Sequence, residues 1–304
     1  MSVNKRKIPR ILAYCSFFLL ALVAGCFRNH NDNAKRVVVH MDVSPEEKAW
    51  MGKFFNDFFL EGSTIYTLFG TKPMSGISIV SATPKEWMDA HKSLIEALDE
   101  KRKEAAIQEV QNHSQSYDLN VNWEKWIAWK KNHPDSPFLF VKRATDSPHI
   151  FNAYVANTRE VMWTLQEYYS FFSRELGVEF DPLEVTLDFE DPESPFWDQI
   201  FSNHFLQGIL FGFGDRNSYF FYRHFKQSHT DNNSCLFVSQ PVSDEAEGGD
   251  IKNIQLPRFR SYVLPYGEDP VVTKYKKEKK RIQQELQGQD FFEAVLERLF
   301  DCNP

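Results

Sequence analysis

Apolar positions along the chain fall into three patterns. Residues 11–24 are apolar almost throughout, interrupted mildly by Tyr14, Cys15 and Ser16. That stretch is short for a transmembrane span and has the length of a signal-peptide core. Short β-branched or aromatic runs at 36–41, 138–141, 150–155, 236–238 and 258–264 read as strands, with 138–141 and 150–155 joined by a turn. The third pattern is helical spacing, and it accounts for most of the remainder.

Helix starts are written into the sequence twice in the same form. Ser44-Pro45-Glu46-Glu47 and Thr83-Pro84-Lys85-Glu86 each place a hydroxyl at the N-cap, proline at the first helical position and glutamate at the third. The first opens a helix to about residue 61, with Trp50, Phe54, Phe58 and Phe59 near one face and Gly62 as its stop. The second predicts a helix through Trp87, Leu94, Leu98 and Ile107 to near residue 111. Asn122 is placed to cap a short helix over 123–131, after which Pro134 and Pro137 break the chain. Asn157 caps a helix over 158–176 with Gly177 as its stop, and 181–193, holding Pro182 and Pro192, reads as a loop. Further helices are predicted over 195–205, 216–226, 271–287 and 291–300, the last two separated by Gly288. Helices and short strands without regular alternation predict an α+β fold, predominantly helical, in a single large domain over residues 35–304. Residues 244–250 are the expected mobile surface loop.

The amino terminus changes the picture of where this domain works. Lys5, Arg6, Lys7 and Arg10 precede the apolar run, and no acidic residue occurs before Asp32. The run closes on Leu22-Val23-Ala24-Gly25-Cys26, which resembles the lipobox of bacterial lipoproteins. In that family the cysteine thiol is diacylglycerylated, the chain is cut just before it and the new amino group is often acylated. The resemblance implies a signal peptide over 1–25, lipidation (palmitate or a similar acyl chain) of Cys26, a polar tether over 26–34 and a domain held on the outer side of a membrane. Each buried methylene contributes about 0.8 kcal/mol, so two or three chains anchor firmly where one holds marginally. An uncleaved signal anchor or an ordinary secretory signal with a chance cysteine is the alternative, and either also leaves the rest of the chain outside the cytoplasm.

Cleavage would remove four positive charges and no negative one, taking the formal balance from −7 to −11. That argues against nucleic acid as a partner. Cys235 and Cys302 then remain as thiols, and an oxidising compartment allows them to pair and tie the carboxy-terminal helix to the middle of the chain. Two separately buried thiols are the alternative.

Two segments, GSTIYTLFGTKPMSG over 62–76 and GILFGFGDRNSYFF over 208–221, resemble patches of uncharacterised lipoproteins of the chlamydial lineage. The likeness covers about a tenth of the chain and implies no activity. Gly208, Gly212 and Gly214 lack the spacing of a phosphate loop and read as packing or turn glycines. Gly70-Thr71-Lys72-Pro73 reads as a turn with its lysine exposed, and as a candidate ligand loop.

Other chemistry is sparse. His204, His224, His229 and Asp231 are metal-ligand types, but His224 and His229 miss the spacing that shares a helical face, so no metal and no cofactor is implied. Asp188, Glu190, Asp191, Glu193 and Asp198 could supply a glycosidase pair, although Asp191-Pro192 and Ser194-Pro195 point to loop and cap duties. There is no Gly-x-Ser-x-Gly elbow. Residues 274–281, KYKKEKKR, form one dense basic patch, expected on an exposed helical face with anionic head groups as a use. The expected function is a lipid-anchored, extracytoplasmic envelope component with a binding or structural role, partnered by the membrane through Cys26 and by an envelope protein. Two alternatives stand beside it: an envelope hydrolase using the 188–198 carboxylates, and a small-ligand-binding lipoprotein with Tyr66, Phe69 and Phe213 lining its pocket.

Overall fold

A three-stranded antiparallel sheet divides the hydrophobic residues of the domain between two cores. The structure is a computed structural model that describes residues 41–61, 63–133, 136–228, 239–242, 250–262 and 267–300, all within the unit Val39–Pro304. The strands are β1 (Met74–Val80), β2 (Phe138–Ala144) and β3 (Ile150–Asn157), in the order β1-β3-β2. Ser75 sits opposite Val155, and Val155 opposite Phe140. Side chains alternate across a pleated sheet. One face therefore offers Ile79, Ala153, Val155, Phe138 and Phe140 to the first core, and the other offers Met74, Tyr154, Ala156 and Val141 to the second.

The first core is built mainly from aromatic rings. Helix α1 (Pro45–Phe55) continues through a wider π turn over Asn56–Glu61. A short helix, α2 (Ile65–Leu68), leads into β1. Helices α3 (Pro84–Glu96) and α4 (Glu100–Lys130) follow β1. Phe54 stacks on Phe58 at 5.3 Å, Phe58 meets Trp123 at 5.5 Å, and Trp126 meets Phe140 edge-on at 5.5 Å. Rings at such separations add about 0.5–1.5 kcal/mol per pair beyond the area they bury.

The second core lies under a run of short helices: α5 (Thr158–Glu167), α6 (Tyr169–Leu176), α7 (Pro182–Leu187), α8 (Pro195–Ser202) and α9 (His204–Leu210). Phe172, Phe189, Trp197 and Leu206 are among its fully buried members. Then come α10 (Gly214–Ser228), a hairpin of β4 (Ser239–Val242) and β5 (Phe259–Tyr262), and two closing helices, α11 (Pro270–Glu285) and α12 (Phe291–Phe300), which pack on the first core. The fold is α+β and predominantly helical, as the sequence pattern predicts.

Both predicted capping boxes are present. Ser44 and Thr83 each accept from the third helical amide at 3.2 Å, and Glu47 and Glu86 reach back to the cap amides at 2.8 Å. Asn157 caps α5 and Gly177, at φ 69°, ends α6.

Other expectations need correction. Asn122 caps nothing: Asp99 accepts from the Arg102 amide at 3.0 Å and starts a helix that runs unbroken for 31 residues, since no glycine or proline interrupts it. The helix predicted over 158–176 is broken at Tyr168. Residues 181–193 are not simply loop, because Pro182 occupies the first turn of α7 behind the Asp181 cap. Asn203 caps a further helix, α9, that the pattern did not predict. Strand β1 was also missed. The predicted strands at 36–41 (apart from Met41) and 236–238, and the 244–250 loop apart from Asp250, lie outside the described residues. Among those residues no helix is long and apolar enough to cross a membrane.

Candidate functional site

The turn between α2 and β1 is held from three directions by the carboxy-terminal helices. Glu278 on α11 accepts from the hydroxyl of Thr71 at 2.6 Å and from its amide at 3.3 Å. Arg281 donates to the carbonyl of Phe69, and Arg298 on α12 donates to that of Leu68 at 3.0 Å. Gly70 packs against the Tyr66 carbonyl and the Glu278 carboxylate so closely that a Cβ there would lie 2.5 Å and 2.7 Å from them.

This clamp turns Lys72 inward. Only 4% of its surface is exposed, which corrects the expectation of an exposed turn lysine. Its Nζ donates to the carbonyl of Met74 at 2.7 Å and lies 2.7 Å from the hydroxyl of Ser75. The Ser75 hydroxyl in turn is 2.8 Å from that of Thr67 on α2. The rings of Phe211 and Phe213 stand 5.0 Å and 5.5 Å from the same nitrogen. Burial, helped by the like charge of Lys274, pulls the Lys72 pKa down to about 7. The aromatic faces favour the ammonium, but two ring contacts do not offset nearly complete desolvation.

Strand pairing orients the backbone beside this pair. The Asn157 amide donates to the Pro73 carbonyl at 2.8 Å, which sets the phase of the β1–β3 ladder. Directly opposed residues alternate between hydrogen-bonded and non-bonded pairs. Ser75 therefore exchanges its bonds with Val155, while Met74 and Gly76 turn their N–H and C=O groups away from β3. β1 is an edge strand, so these groups face its open side, where Lys72 takes the Met74 carbonyl.

A cleft of about 400 Å³ opens along this edge, lined by Ser63, Lys72, Ser75, Gly76 and Ser78 on one side and by Phe211, Phe213 and Arg258 on the other. A second cleft of about 340 Å³ shares Phe211, Phe213 and Arg258 and adds His204, Phe221 and Arg260. Phe213 stacks on Phe259 at 4.9 Å. Gly212 lies between the two phenylalanines at φ 71°, with its carbonyl accepting from the buried Tyr275 hydroxyl at 2.9 Å. Burial and the neighbouring Glu278 hold that phenol well above its ordinary pKa. The segments 62–76 and 208–221, far apart in the chain, thus meet around one lysine.

Compared with protein-family models, curated proteins and solved structures, the chain finds no match.

The residues singled out in the sequence fare unequally. Phe213 lines both clefts, whereas Tyr66 and Phe69 are core residues. Gly208 packs against Ser218, and Gly214, at φ 75°, begins α10. Three of the acidic set have structural partners, and none of the five lines either cleft. Glu190 accepts from Lys130 at 2.7 Å and from the Phe140 amide at 2.8 Å. Asp191 accepts from the Glu193 amide at 2.9 Å, and Asp198 pairs with the buried Arg143.

His204 borders the second cleft edge-on to Phe221 at 6.1 Å. The His224 side chain, His229 and Asp231 lie outside the described residues, and among those described no three ligand-type side chains gather to hold a metal. Cys26, Cys235 and Cys302 also lie outside them. On α11 the lysines at 276, 277 and 280 and Arg281 are exposed, as predicted for the basic patch, while Glu278 is buried on the core side. Ser75, Thr67 and Glu278 escaped the sequence reading. The usable signal is local: a lysine locked before proline and followed three residues later by serine, ahead of isoleucines at 77 and 79.

Proposed function

We propose that this chain is a lipid-anchored, extracytoplasmic component of a bacterial cell envelope, and that its domain binds small amphiphilic molecules at the edge of the sheet. The anchor rests on one feature, the small-residue run ending at Cys26 behind a basic head and an apolar core. The observation that carries the binding role is the joined pair of clefts, in which Phe211, Phe213 and Phe221 offer an apolar bed and Arg258 and Arg260 a cationic end. Concave, mainly apolar sites with a few convergent polar groups are the usual form of small-ligand pockets.

Intact mass spectrometry of membrane-extracted protein, beside a Cys26→Ala variant, tests the anchor. A chain beginning at Cys26 with added acyl mass, lost in the variant, is expected; an uncut, unmodified chain overturns it. Thermal-shift titration with decanoate tests the cleft. The melting temperature should rise with decanoate concentration and stop responding in Phe213→Ala; a flat response in the parent protein removes the ligand role.

A further inference from the structure

The innermost wall of the cleft carries a group that binding alone does not require. A lysine that serves only to hold the turn would need the Met74 carbonyl and little else, yet Lys72 Nζ also lies 2.7 Å from a serine hydroxyl, itself 2.8 Å from a threonine hydroxyl. As a neutral amine, Lys72 has two donors and one acceptor. The network then closes in one direction: Thr67 donates to Ser75, Ser75 donates to Lys72, and Lys72 donates to Met74. Ser75 and Lys72 are almost fully enclosed, at 2% and 4% exposure, but both line the cleft.

The arrangement has the three parts that acyl transfer requires. A hydroxyl is a weak nucleophile until an adjacent base takes its proton, and the pair is recognised by hydrogen-bond contact with a third group orienting it. The developing negative charge needs a fixed donor beside the attacked carbonyl. The amide of Gly76, next in the chain to Ser75 and turned toward the open sheet edge by the strand phase, is that donor. Gly76 is itself exposed.

We propose that Ser75 is the nucleophile and Lys72 the general base of an esterase site, acting on acyl esters of amphiphilic molecules held in this cleft. The proposal rests on the ligand-binding reading above and not on the lipid anchor. The Ser75 Oγ attacks the ester carbonyl carbon, forming a C–O bond, while its proton passes to Lys72 Nζ. The carbonyl electron pair moves to oxygen and is held by the Gly76 N–H. Collapse breaks the bond to the alcohol, which leaves with the proton from Lys72. Water, deprotonated by Lys72, then attacks the acyl carbon, and the acid departs as Ser75 recovers its proton. Ester and water give acid and alcohol.

A base that loses its proton near pH 7 suits this work at neutral pH. The charged and titratable groups that face it are Lys274, Tyr275 and Glu278 from α11 and Arg258 from the far wall of the cleft. Burial first, and then the like charge of Lys274, favour the neutral amine.

The test is reaction of the purified full chain with an alkyl fluorophosphonate, read by intact mass and by mapping the modified peptide. One adduct per chain on Ser75 is expected, with a rate that rises as pH passes through about 7. Ser75→Ala should abolish the adduct, Lys72→Met should slow it at least about a hundredfold, and Ser170→Ala, at an exposed position of α6 outside both clefts, should label like the parent. Mapping in the parent protein needs no variant, so a variant that fails to fold leaves the result readable. Failure of folded protein to label at Ser75, or equal labelling in folded Lys72→Met, overturns the proposal. Decanoate stabilisation without labelling removes the dyad and keeps the ligand role, and loss of both removes both.

Discussion

Glu278 and Thr71, 207 positions apart, are joined by two hydrogen bonds, of 2.6 Å to the hydroxyl and 3.3 Å to the amide. The link matters because Thr71 precedes Lys72, so a residue on the closing helix decides which way the site lysine points. The other carboxylate oxygen of Glu278 is buried without a hydrogen-bond partner, a costly arrangement that a purely structural helix face would replace with an apolar side chain.

Glu278→Ala should therefore affect order more than stability. Thr71 is exposed, so water can take over its two donors, and the cost in urea unfolding should be near 1 kcal/mol. Hydrogen exchange at the amides of 71 and 72 should accelerate while the strand amides stay protected. Unchanged exchange at 71 and 72 would show that Arg281 and Arg298 hold the turn alone.

Lys72 predicts a pH dependence of stability with a definite sign. Its pKa is about 7 in the folded chain against an ordinary value of 10.5, so between those limits the unfolded chain binds more protons. Stability then rises with pH across that window. Below pH 7 the penalty is present in full, on the order of 5 kcal/mol at 1.36 kcal/mol per unit, and it fades toward pH 10.5. In Lys72→Met this contribution is absent, so the stability of the parent relative to the variant should climb between pH 7 and 10. A constant difference across that range would mean that Lys72 stays protonated in the fold.

Arg143 and Asp198 separate structural carboxylates from catalytic ones. Arg143 is buried, donates to the carbonyls of Pro192 at 3.1 Å and Asp191 at 2.9 Å, and lies over Phe201 at 4.9 Å. Asp198, its ion-pair partner, is 62% exposed. Solvent screens the pair, so Asp198→Asn should cost about 1 kcal/mol or less. Arg143→Met loses the carbonyl bonds and should cost about 2–3 kcal/mol. Esterase activity and fluorophosphonate labelling should survive Asp198→Asn and Glu190→Gln, whereas a loss specific to either carboxylate would return attention to the 188–198 segment.

The elements that the sequence made legible are those whose signals are local. Ser44, Thr83 and Asn157 cap their helices through contacts within three residues, and the 138–141 and 150–155 runs are rich enough in β-branched and aromatic residues to read as strands. What was not legible depends on distant neighbours. Lys72 sits in a turn whose composition says exposed, and distant groups, Phe211, Phe213 and the clamp from α11, help to bury it. Glu278 lies inside a basic run that reads as a solvated face, yet it occupies the core-side position between Tyr275 and Ile282. Asn122, a good cap residue by type, is overruled because the preceding residues already propagate a helix. Strand β1 was hidden by Gly76 and two serines, Ser75 and Ser78, whose weak strand preference is outweighed by pairing with β3.

Gly212 gives the most direct check that the two aromatic walls and the lysine form one unit. Its φ of 71° belongs to the left-handed region, which costs a residue with a side chain roughly 1–2 kcal/mol. A Cβ there would also meet the Tyr275 hydroxyl at less than van der Waals separation and Pro73 at 3.3 Å. The Tyr275 ring is fixed in the core, edge-on to Tyr66 at 5.4 Å, so the strain passes to the 211–213 segment. Gly212→Ala should lower stability by about 2–4 kcal/mol and move Phe211 and Phe213 away from Lys72. Decanoate stabilisation and labelling of Ser75 should then fall together in the protein that remains folded. If labelling falls while decanoate binding persists, the phenylalanines serve chiefly to desolvate the lysine. If both persist, the aromatic wall is dispensable and the cleft is formed by the β1 edge alone.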